Sequence, residues 1–194
     1  PLGPGAEVGY TILLPVPADR YDEVVDRLTE AGLTYPCYCS RRDIREAASA
    51  PHGPPIEGGY PGTCRDLSDS ELAERRSHGR PPALRMRAGN ATVAVSDRLL
   101  GPIGGPVDDF VVRRADGVAA YNLAVVVDDA AQGVEEVVRA DDLLSSTPRQ
   151  AHLARHIPEA NDDADLPPVL AAHGMQRHPH TPPFALSRAD IEFT

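Results

Sequence analysis

The chain lacks lysine and tryptophan altogether, and it is poor in cysteine and aromatic residues. Its 194 residues include three cysteines and 5% aromatic residues, and all 19 basic side chains are arginine. Three cysteines are too few for a disulfide framework, and an odd number is typical of a reducing compartment, which predicts a cytoplasmic protein. No apolar run approaches the roughly 18 residues of a membrane span, so we expect no membrane segment.

The charge is acidic overall but unevenly distributed. The formal net charge is −10, which argues against non-specific binding to nucleic acid. Residues 41–87, in contrast, carry nine arginines and seven acidic residues, a net charge of +2. This balance allows a local phosphate contact, although solvated surface charge is the commoner explanation.

Helical and strand patterns alternate along the chain, which predicts an α/β or α+β fold. Apolar residues from Tyr21 to Leu28 recur on one helical face, and Gly32 is a plausible stop. Capping boxes predict helices after Ser40 and Ser68, and Ser146-Thr147-Pro148 predicts an N-cap followed by proline in the first turn. The strand patterns are Ala83–Arg87, Ala91–Val95, Phe110–Arg113 and Val134–Val138.

Three segments are harder to assign. The run Tyr121–Val127 is apolar throughout, so its periodicity does not distinguish a buried strand from a helix. Residues 1–18 have the composition of an extended lead-in, and residues 158–194 form a tail rich in proline and histidine. We therefore place the folded body at residues 19–157.

The cysteines are grouped in a way that favours a metal site. Cys37 and Cys39 are separated by one residue, and Cys64 ends a loop rich in glycine and proline. A structural zinc ion needs four ligands, so three thiolates need one more donor. Tyr60 and His52 are both candidates, and the spacing does not choose between them. The alternative is three unrelated thiols in a cytosolic protein.

The stretch 107–150 combines acidic pairs with an aromatic residue and arginines. Asp128-Asp129 and Asp141-Asp142 each follow an apolar run, and carboxylates in such places often face a cleft. Tyr121, Arg139 and the acidic residues together could bind an amino acid zwitterion, because arginine binds a carboxylate through two parallel hydrogen bonds. From spacing alone, helix capping and surface ion pairing explain these residues slightly better.

Several motifs together resemble the glutamyl-Q tRNA(Asp) synthetase family, shortened class I relatives of glutamyl-tRNA synthetase. They are the run Tyr-Pro-Cys-Tyr-Cys-Ser-Arg-Arg from Tyr35, Tyr-Pro-Gly-Thr-Cys-Arg from Tyr60, Pro-Ala-Leu-Arg-Met-Arg from Pro82, and residues 107–150. The resemblance runs from about Asp19 to Ala154. It implies an α/β fold: a partial Rossmann-like catalytic domain with an inserted zinc-binding subdomain at about residues 35–90.

The resemblance also implies an activity and its residues. Members of the family activate L-glutamate with ATP and Mg²⁺ and transfer it to queuosine in the anticodon of tRNA(Asp). Carried over by position, the zinc ligands are Cys37, Cys39, Tyr60 and Cys64. Tyr121 and Arg139 match the glutamate-binding tyrosine and arginine of the family.

The chain departs from the family at both ATP motifs. No His-x-Gly element occurs, and there is no lysine for the second motif, so the resemblance leaves the catalytic residues unassigned. Ala140 stands where the family usually has glycine. We therefore expect a chain that is truncated or degenerate at both ends. Two alternatives remain: a non-catalytic, zinc-stabilised RNA-binding module that uses Arg41, Arg42 and Arg65, or a fragment of a glutamyl-tRNA synthetase.

Overall fold

The computed structural model describes most of the predicted body and one short strand near the C-terminus. The described residues are 16–48, 59–89, 91–97, 100–134, 136–139, 141–157 and 184–187. The helices are α1 (Ala18–Glu30), α2 (Arg41–Ala48), α3 (Asp69–Ser77), α4 (Tyr121–Ala131) and α5 (Thr147–Ala154). The strands are β1 (Thr34–Cys37), β2 (Ala83–Met86), β3 (Thr92–Asp97), β4 (Gly101–Pro106), β5 (Val111–Arg113), β6 (Glu136–Arg139) and β7 (Phe184–Ser187).

Local signals predicted the first three helices correctly. In α1, Val24, Val25 and Leu28 are buried, and the helix ends before Gly32, which has φ 70°. Leu33 N–H then donates to Leu28 C=O at 2.9 Å, the closing bond of a Schellman-type stop. Each of these features depends on residues less than two turns apart, which is why the sequence pattern was sufficient.

Both predicted capping boxes are present. Ser40 Oγ accepts from Asp43 N at 3.1 Å, and the Asp43 carboxylate accepts from Ser40 N at 2.6 Å. Ser68 and Glu71 make the same reciprocal pair at the start of α3. At α5 the prediction was partly wrong: Pro148 lies in the first turn, but Ser146 makes no side-chain capping bond because residues 141–146 form a 3₁₀ turn leading into the helix.

The strands form two antiparallel sheets. One has the order β1-β2-β5, and β1 pairs with β2 from Thr34↔Met86 to Cys37↔Ala83. The other has the order β4-β3-β7-β6. The mixture of helices and strands is as expected, while each pairing between these named strands is antiparallel. The described residues therefore form two antiparallel sheets with helices, and no pairing between their named strands is parallel.

Strand β4 is absent from the strand patterns predicted above, because its sequence, Gly-Pro-Ile-Gly-Gly-Pro, is typical of a turn. It nevertheless pairs with β3 over six residues, from Thr92↔Pro106 to Asp97↔Gly101. Proline is tolerated there because β4 is an edge strand. A Cβ at Gly104 would lie 2.2 Å from the Val93 carbonyl oxygen, so glycine permits the close approach.

Packing in the main core explains why the apolar run from Tyr121 is a helix and not a strand. Residues 121–131 form helix α4, whose buried Leu123, Val126 and Val127 lie three and four residues apart. They pack against the buried face of α1 and against Val93, Val112 and Leu153. A second, smaller core surrounds the cysteines and contains Tyr35, Cys37, Tyr60 and Cys64, with Ile44 and Leu67 at its margin.

Helix α5 carries an unusual buried histidine. His152 is 7% exposed, and neither ring nitrogen has a hydrogen-bond partner among the described residues. Burial, followed by the nearby charges of His156 and Arg155, lowers the pKa of His152 to about 4. Between about pH 4 and 6.5 the ring is therefore mostly neutral in the folded chain and mostly protonated in the unfolded chain.

We predict that His152 makes the stability depend on pH. An unfolded histidine titrates near 6.5, so between pH 6.5 and 4 the unfolded state binds more protons and stability falls as the pH falls. The contribution is about 2 kcal/mol between pH 7.5 and 5. Urea denaturation at both pH values should show a smaller difference for His152→Gln than for the wild type. The exposed His78→Gln is the control; an undiminished difference in His152→Gln contradicts the assignment.

Candidate functional site

The three cysteine thiols converge between β1 and the loop after residue 59. β1 ends at Cys37 and places Cys39 two residues beyond it, while Cys64 lies in the turn at residues 63–66, four residues after Tyr60. The three sulfur atoms lie within 4.8 Å of one another, and Cys39 Sγ is 3.5 Å from Cys64 Sγ. The grouping predicted from spacing is therefore confirmed.

Tyr60 supplies a fourth atom at the same place. Its hydroxyl oxygen is 3.4 Å from Cys37 Sγ and 3.8 Å from Cys39 Sγ, and it accepts from Cys64 N at 2.8 Å. The competing candidate His52 lies outside the described residues. The structure thus brings Tyr60, one of the two donors weighed from the sequence, to the sulfurs.

The donor set fits a tetrahedral zinc ion. Zinc–sulfur distances of about 2.3 Å separate the sulfurs of a tetrahedral site by about 3.8 Å. The observed separations of 3.4, 3.5 and 3.8 Å among the sulfur and oxygen atoms are of that size. The residues present can therefore hold zinc with little rearrangement.

The electrostatics of the cluster favour the thiolate, the form that binds metals, at Cys37, whereas hydrogen bonds with Cys37 and Cys64 raise the pKa of Cys39. Hydrogen bonds from Cys39 and Cys64 lower the pKa of Cys37 far below its usual range. The Arg85 guanidinium adds to this effect and lies 3.7 Å above the Tyr60 ring. Burial and the adjacent Cys37 raise the pKa of Tyr60, so its hydroxyl stays protonated beside the thiolate.

A pair of consecutive carboxylates anchors the cluster to the rest of the chain, and our sequence reasoning did not single them out. Asp108 Oδ2 accepts from Tyr60 N at 3.0 Å, and its Oδ1 accepts from Arg149 Nε at 2.6 Å. Asp109 is fully buried, and its Oδ2 accepts from both Tyr35 Oη and Arg65 Nε at 2.6 Å. The sequence signal that could have identified them is a pair of acidic residues just before strand β5.

Asp109 also holds β2 in place. Its Oδ1 accepts from Ala88 N at 2.9 Å, and its carbonyl oxygen accepts from Arg85 Nη1 at 2.7 Å. Arg85 is the residue whose guanidinium covers Tyr60. One carboxylate thus joins β1, β2 and the cysteine loop, and each of its oxygens is hydrogen-bonded.

The acidic pairs named from the sequence have more ordinary surroundings. Asp128 accepts from Tyr21 Oη at 2.8 Å and from Val16 N at 3.0 Å, joining α4 to the start of α1. Burial and the Asp128 carboxylate raise the pKa of Tyr21 to about 12. Asp128 therefore acts as a structural acceptor, and Asp142 is exposed on the 3₁₀ turn.

The two residues matched to glutamate binding lie on consecutive elements. Tyr121 is the first residue of α4 and is 53% exposed. Arg139 is the last residue of β6, where its backbone pairs with Phe184; its side chain is outside the described set. Tyr121 thus lies at the surface of the described structure.

Comparison with known proteins identifies the class. Residues 17–162 match the family described as "tRNA synthetases class I (E and Q), catalytic domain". This match covers well over half of the chain and includes the cysteine cluster, Tyr121 and Arg139. The chain therefore belongs to the catalytic-domain family of the class I glutamyl- and glutaminyl-tRNA synthetases.

Within that class, the sequence resembles one kind of enzyme in particular. A protein named glutamyl-Q tRNA(Asp) synthetase from Nocardia farcinica is 66% identical over 135 residues, which cover 70% of this chain and 43% of the relative. The namesake from Nitratidesulfovibrio vulgaris is 50% identical over 137 residues, covering 69% and 42%. The resemblance to this family is confirmed, and the chain spans less than half the length of either relative.

Solved structures support the fold. The crystal structure of glutamate-tRNA synthetase from Elizabethkingia anophelis superposes with a TM-score of 0.61 at 18% identity, covering 80% of this chain and 32% of that one. At this identity the similarity establishes a shared fold alone. No helix in the described ranges is long and apolar enough to cross a membrane.

Proposed function

We propose that this chain is the zinc-bearing part of a synthetase that activates L-glutamate with ATP and Mg²⁺ and transfers it to queuosine of tRNA(Asp). The observation that carries the proposal is the 66% identity to the Nocardia farcinica relative. The Cys-Cys-Tyr-Cys cluster adds support, because its donor atoms lie at zinc-like separations. A cytoplasmic location follows from the same proposal.

In this proposal zinc has a structural role. Cys37, Cys39, Tyr60 and Cys64 hold it, and it supplies a crosslink between β1 and the loop at residues 59–64. The small cysteine core offers limited apolar area for folding, so a metal crosslink would stabilise the inserted subdomain. The Rossmann-like architecture of the catalytic domain belongs to the same proposal.

Glutamate is bound by Arg139 and Tyr121. The guanidinium of Arg139 binds a carboxylate through two parallel hydrogen bonds, and the Tyr121 hydroxyl provides a further polar contact. Helix α4 and strand β6 are consecutive and joined through Gly133, which has φ 63°.

The chemistry has two steps. A glutamate carboxylate oxygen attacks the α-phosphorus of ATP, forming glutamyl adenylate and releasing pyrophosphate. A hydroxyl of the modified base then attacks the activated carbonyl, forming the ester and releasing AMP. Positive donors stabilise the phosphate charge in the first step, and we assign none of this chain's residues to that role.

The test is glutamate-dependent exchange of pyrophosphate into ATP by the zinc-loaded chain. Exchange above background would assign the activation step to this chain itself, and Arg139→Lys should then lose it at least tenfold, because lysine cannot form the bidentate pair. Arg114→Lys is the control, since Arg114 pairs with Asp116 at the surface. Background exchange by a zinc-loaded wild type contradicts the activation step.

A second candidate function is a non-catalytic RNA-binding module. Arg41 and Arg45 line an open depression of about 470 Å³ on α2, and Arg42 is exposed beside Glu46. Arg65 is less suited to this role, because it is paired with buried Asp109. A tRNA titration that weakens steeply with salt, together with absent exchange, favours this function over the synthetase. The third reading, a fragment of a glutamyl-tRNA synthetase, is less well supported by the names of the relatives.

A further inference from the structure

Asp108 lies between the cysteine cluster and helix α5. One of its oxygens accepts from the backbone N–H of Tyr60 at 3.0 Å, and the other accepts from Arg149 Nε at 2.6 Å. Its side chain is 7% exposed and that of Arg149 is 23% exposed. A charged pair shielded from water in this way holds its geometry better than a surface pair.

The two ends of this link differ in what they carry. Tyr60 provides the hydroxyl that approaches Cys37 and Cys39, so any ion bound by the sulfurs restrains it. Arg149 is in the first turn of α5, directly after the 3₁₀ turn 141–146 that follows β6. The cluster and α5 therefore meet at one carboxylate, although Tyr60 and Arg149 are far apart in sequence.

The neighbouring carboxylate reinforces the cluster end of the link. Asp109 binds Arg65, next to Cys64, and Tyr35, two residues before Cys37. Asp109 thus holds the segments on either side of the cluster. Asp108 restrains the backbone of Tyr60 by accepting its N–H. Loss of the ion would leave the Tyr60 hydroxyl held by hydrogen bonds alone, chiefly that from the Cys64 N–H, and so weaken the first hydrogen bond of the link.

We propose that Asp108 is a positioning residue that couples metal binding at the cysteine cluster to the order of helix α5. The coupling rests on the proposed metal centre. Occupancy of the cluster fixes Tyr60, Tyr60 fixes the Asp108 carboxylate, and that carboxylate holds Arg149 at the start of α5. Linkage makes the effect reciprocal: ordering α5 raises the affinity of the cluster for the ion.

The experiment measures amide hydrogen exchange in α5 with and without zinc. The wild-type chain is compared with Asp108→Asn, in which an amide N–H₂ faces one of the two N–H donors and breaks the link. Asp66→Asn is the matched control, because Asp66 also pairs with an arginine, Arg87, but is 81% exposed. Exchange in α1 serves as the internal reference for global unfolding.

We expect zinc to slow α5 exchange about tenfold relative to α1 in the wild type and in Asp66→Asn. In Asp108→Asn, zinc should leave the α5 rate unchanged. The absorption of Co²⁺ bound to the thiolates should persist in that variant, since none of the four donor atoms is altered. Arg149→Gln, which breaks the link from the α5 end, should reproduce the result if Asp108→Asn folds poorly.

The outcomes separate this proposal from the one on which it rests. Zinc-dependent protection of α5 that survives in Asp108→Asn and Arg149→Gln overturns the coupling, as does a wild type that binds zinc without any response in α5; the metal centre stands in both cases. A wild type that binds neither Zn²⁺ nor Co²⁺ removes the metal centre, and the coupling with it.

Discussion

Replacing Cys37 with serine is expected to abolish stoichiometric zinc binding and to lower the melting temperature by at least about 10 °C. Structural zinc supplies on the order of 10 kcal/mol to small domains, and loss of one thiolate forfeits much of it. For a chain of this size each kcal/mol corresponds to about 2–4 °C. The measurements are zinc content by elemental analysis and thermal unfolding with and without a chelator.

Tyr38→Phe is the matched control for Cys37→Ser. Tyr38 is the adjacent residue and is buried, but its hydroxyl accepts from Arg76 Nε at 3.4 Å and lies outside the cluster. It should keep both zinc and melting temperature. A zinc-free wild type, or a Cys37→Ser protein with an unchanged melting temperature, contradicts the zinc assignment.

The fourth ligand can be tested in the same assay. Tyr60→Phe keeps the ring beneath Arg85 but removes the oxygen that lies 3.4 Å from Cys37 Sγ. It should weaken zinc binding, whereas His52→Ala should leave it unchanged. The reverse pattern would assign the fourth position to His52.

Replacing Asp109 with alanine is expected to destabilise the fold by about 3–5 kcal/mol, the cost of breaking a buried ion pair by removing one partner. The change leaves the Arg65 guanidinium, the Tyr35 hydroxyl and the Ala88 N–H without their acceptor. Each stranded donor carries a desolvation penalty. Urea denaturation at neutral pH measures the loss.

Asp116→Ala controls for the loss of an aspartate that is paired with arginine. Its carboxylate binds Arg114, and both side chains are at least half exposed, so the change should stay within about 0.5 kcal/mol. The destabilisation caused by Asp109→Asn should fall between those of Asp109→Ala and Asp116→Ala, because an amide retains one acceptor oxygen. A loss below 1 kcal/mol in Asp109→Ala would show that the ion pair and hydrogen bonds of Asp109 contribute little to the free energy of unfolding.

Local structure was largely predictable from the sequence. The capping boxes at Ser40 and Ser68 and the stop at Gly32 involve groups within a few residues of one another, so composition and spacing were sufficient. The cysteine cluster was predictable for a chemical reason: thiols at short spacing beside a turn-rich loop have few other common uses in a chain with so few cysteines. The family resemblance rested on these same motifs.

Non-local choices were not predictable. The apolar run from Tyr121 is compatible with a strand or a helix, and burial of its Leu123 face against α1 decided for the helix. β4 reads as a turn because glycine and proline are poor strand formers, yet pairing with β3 and an edge position accommodate them. β7 lies in the segment predicted as a tail, and its pairing with β6 joins residues far apart in the chain.

The local elements, the grouping of the thiols and the family were all predictable from residue types at short range, and the family resemblance already assigned Tyr60 to the thiols. The packing of the folded chain was needed to bring the Tyr60 hydroxyl to the sulfurs and to show that Asp108 and Asp109 connect the cluster to β1, β2 and α5. Those contacts span 21 to 74 residues of chain. Their partners are chosen by the packing of whole elements, which no local pattern encodes.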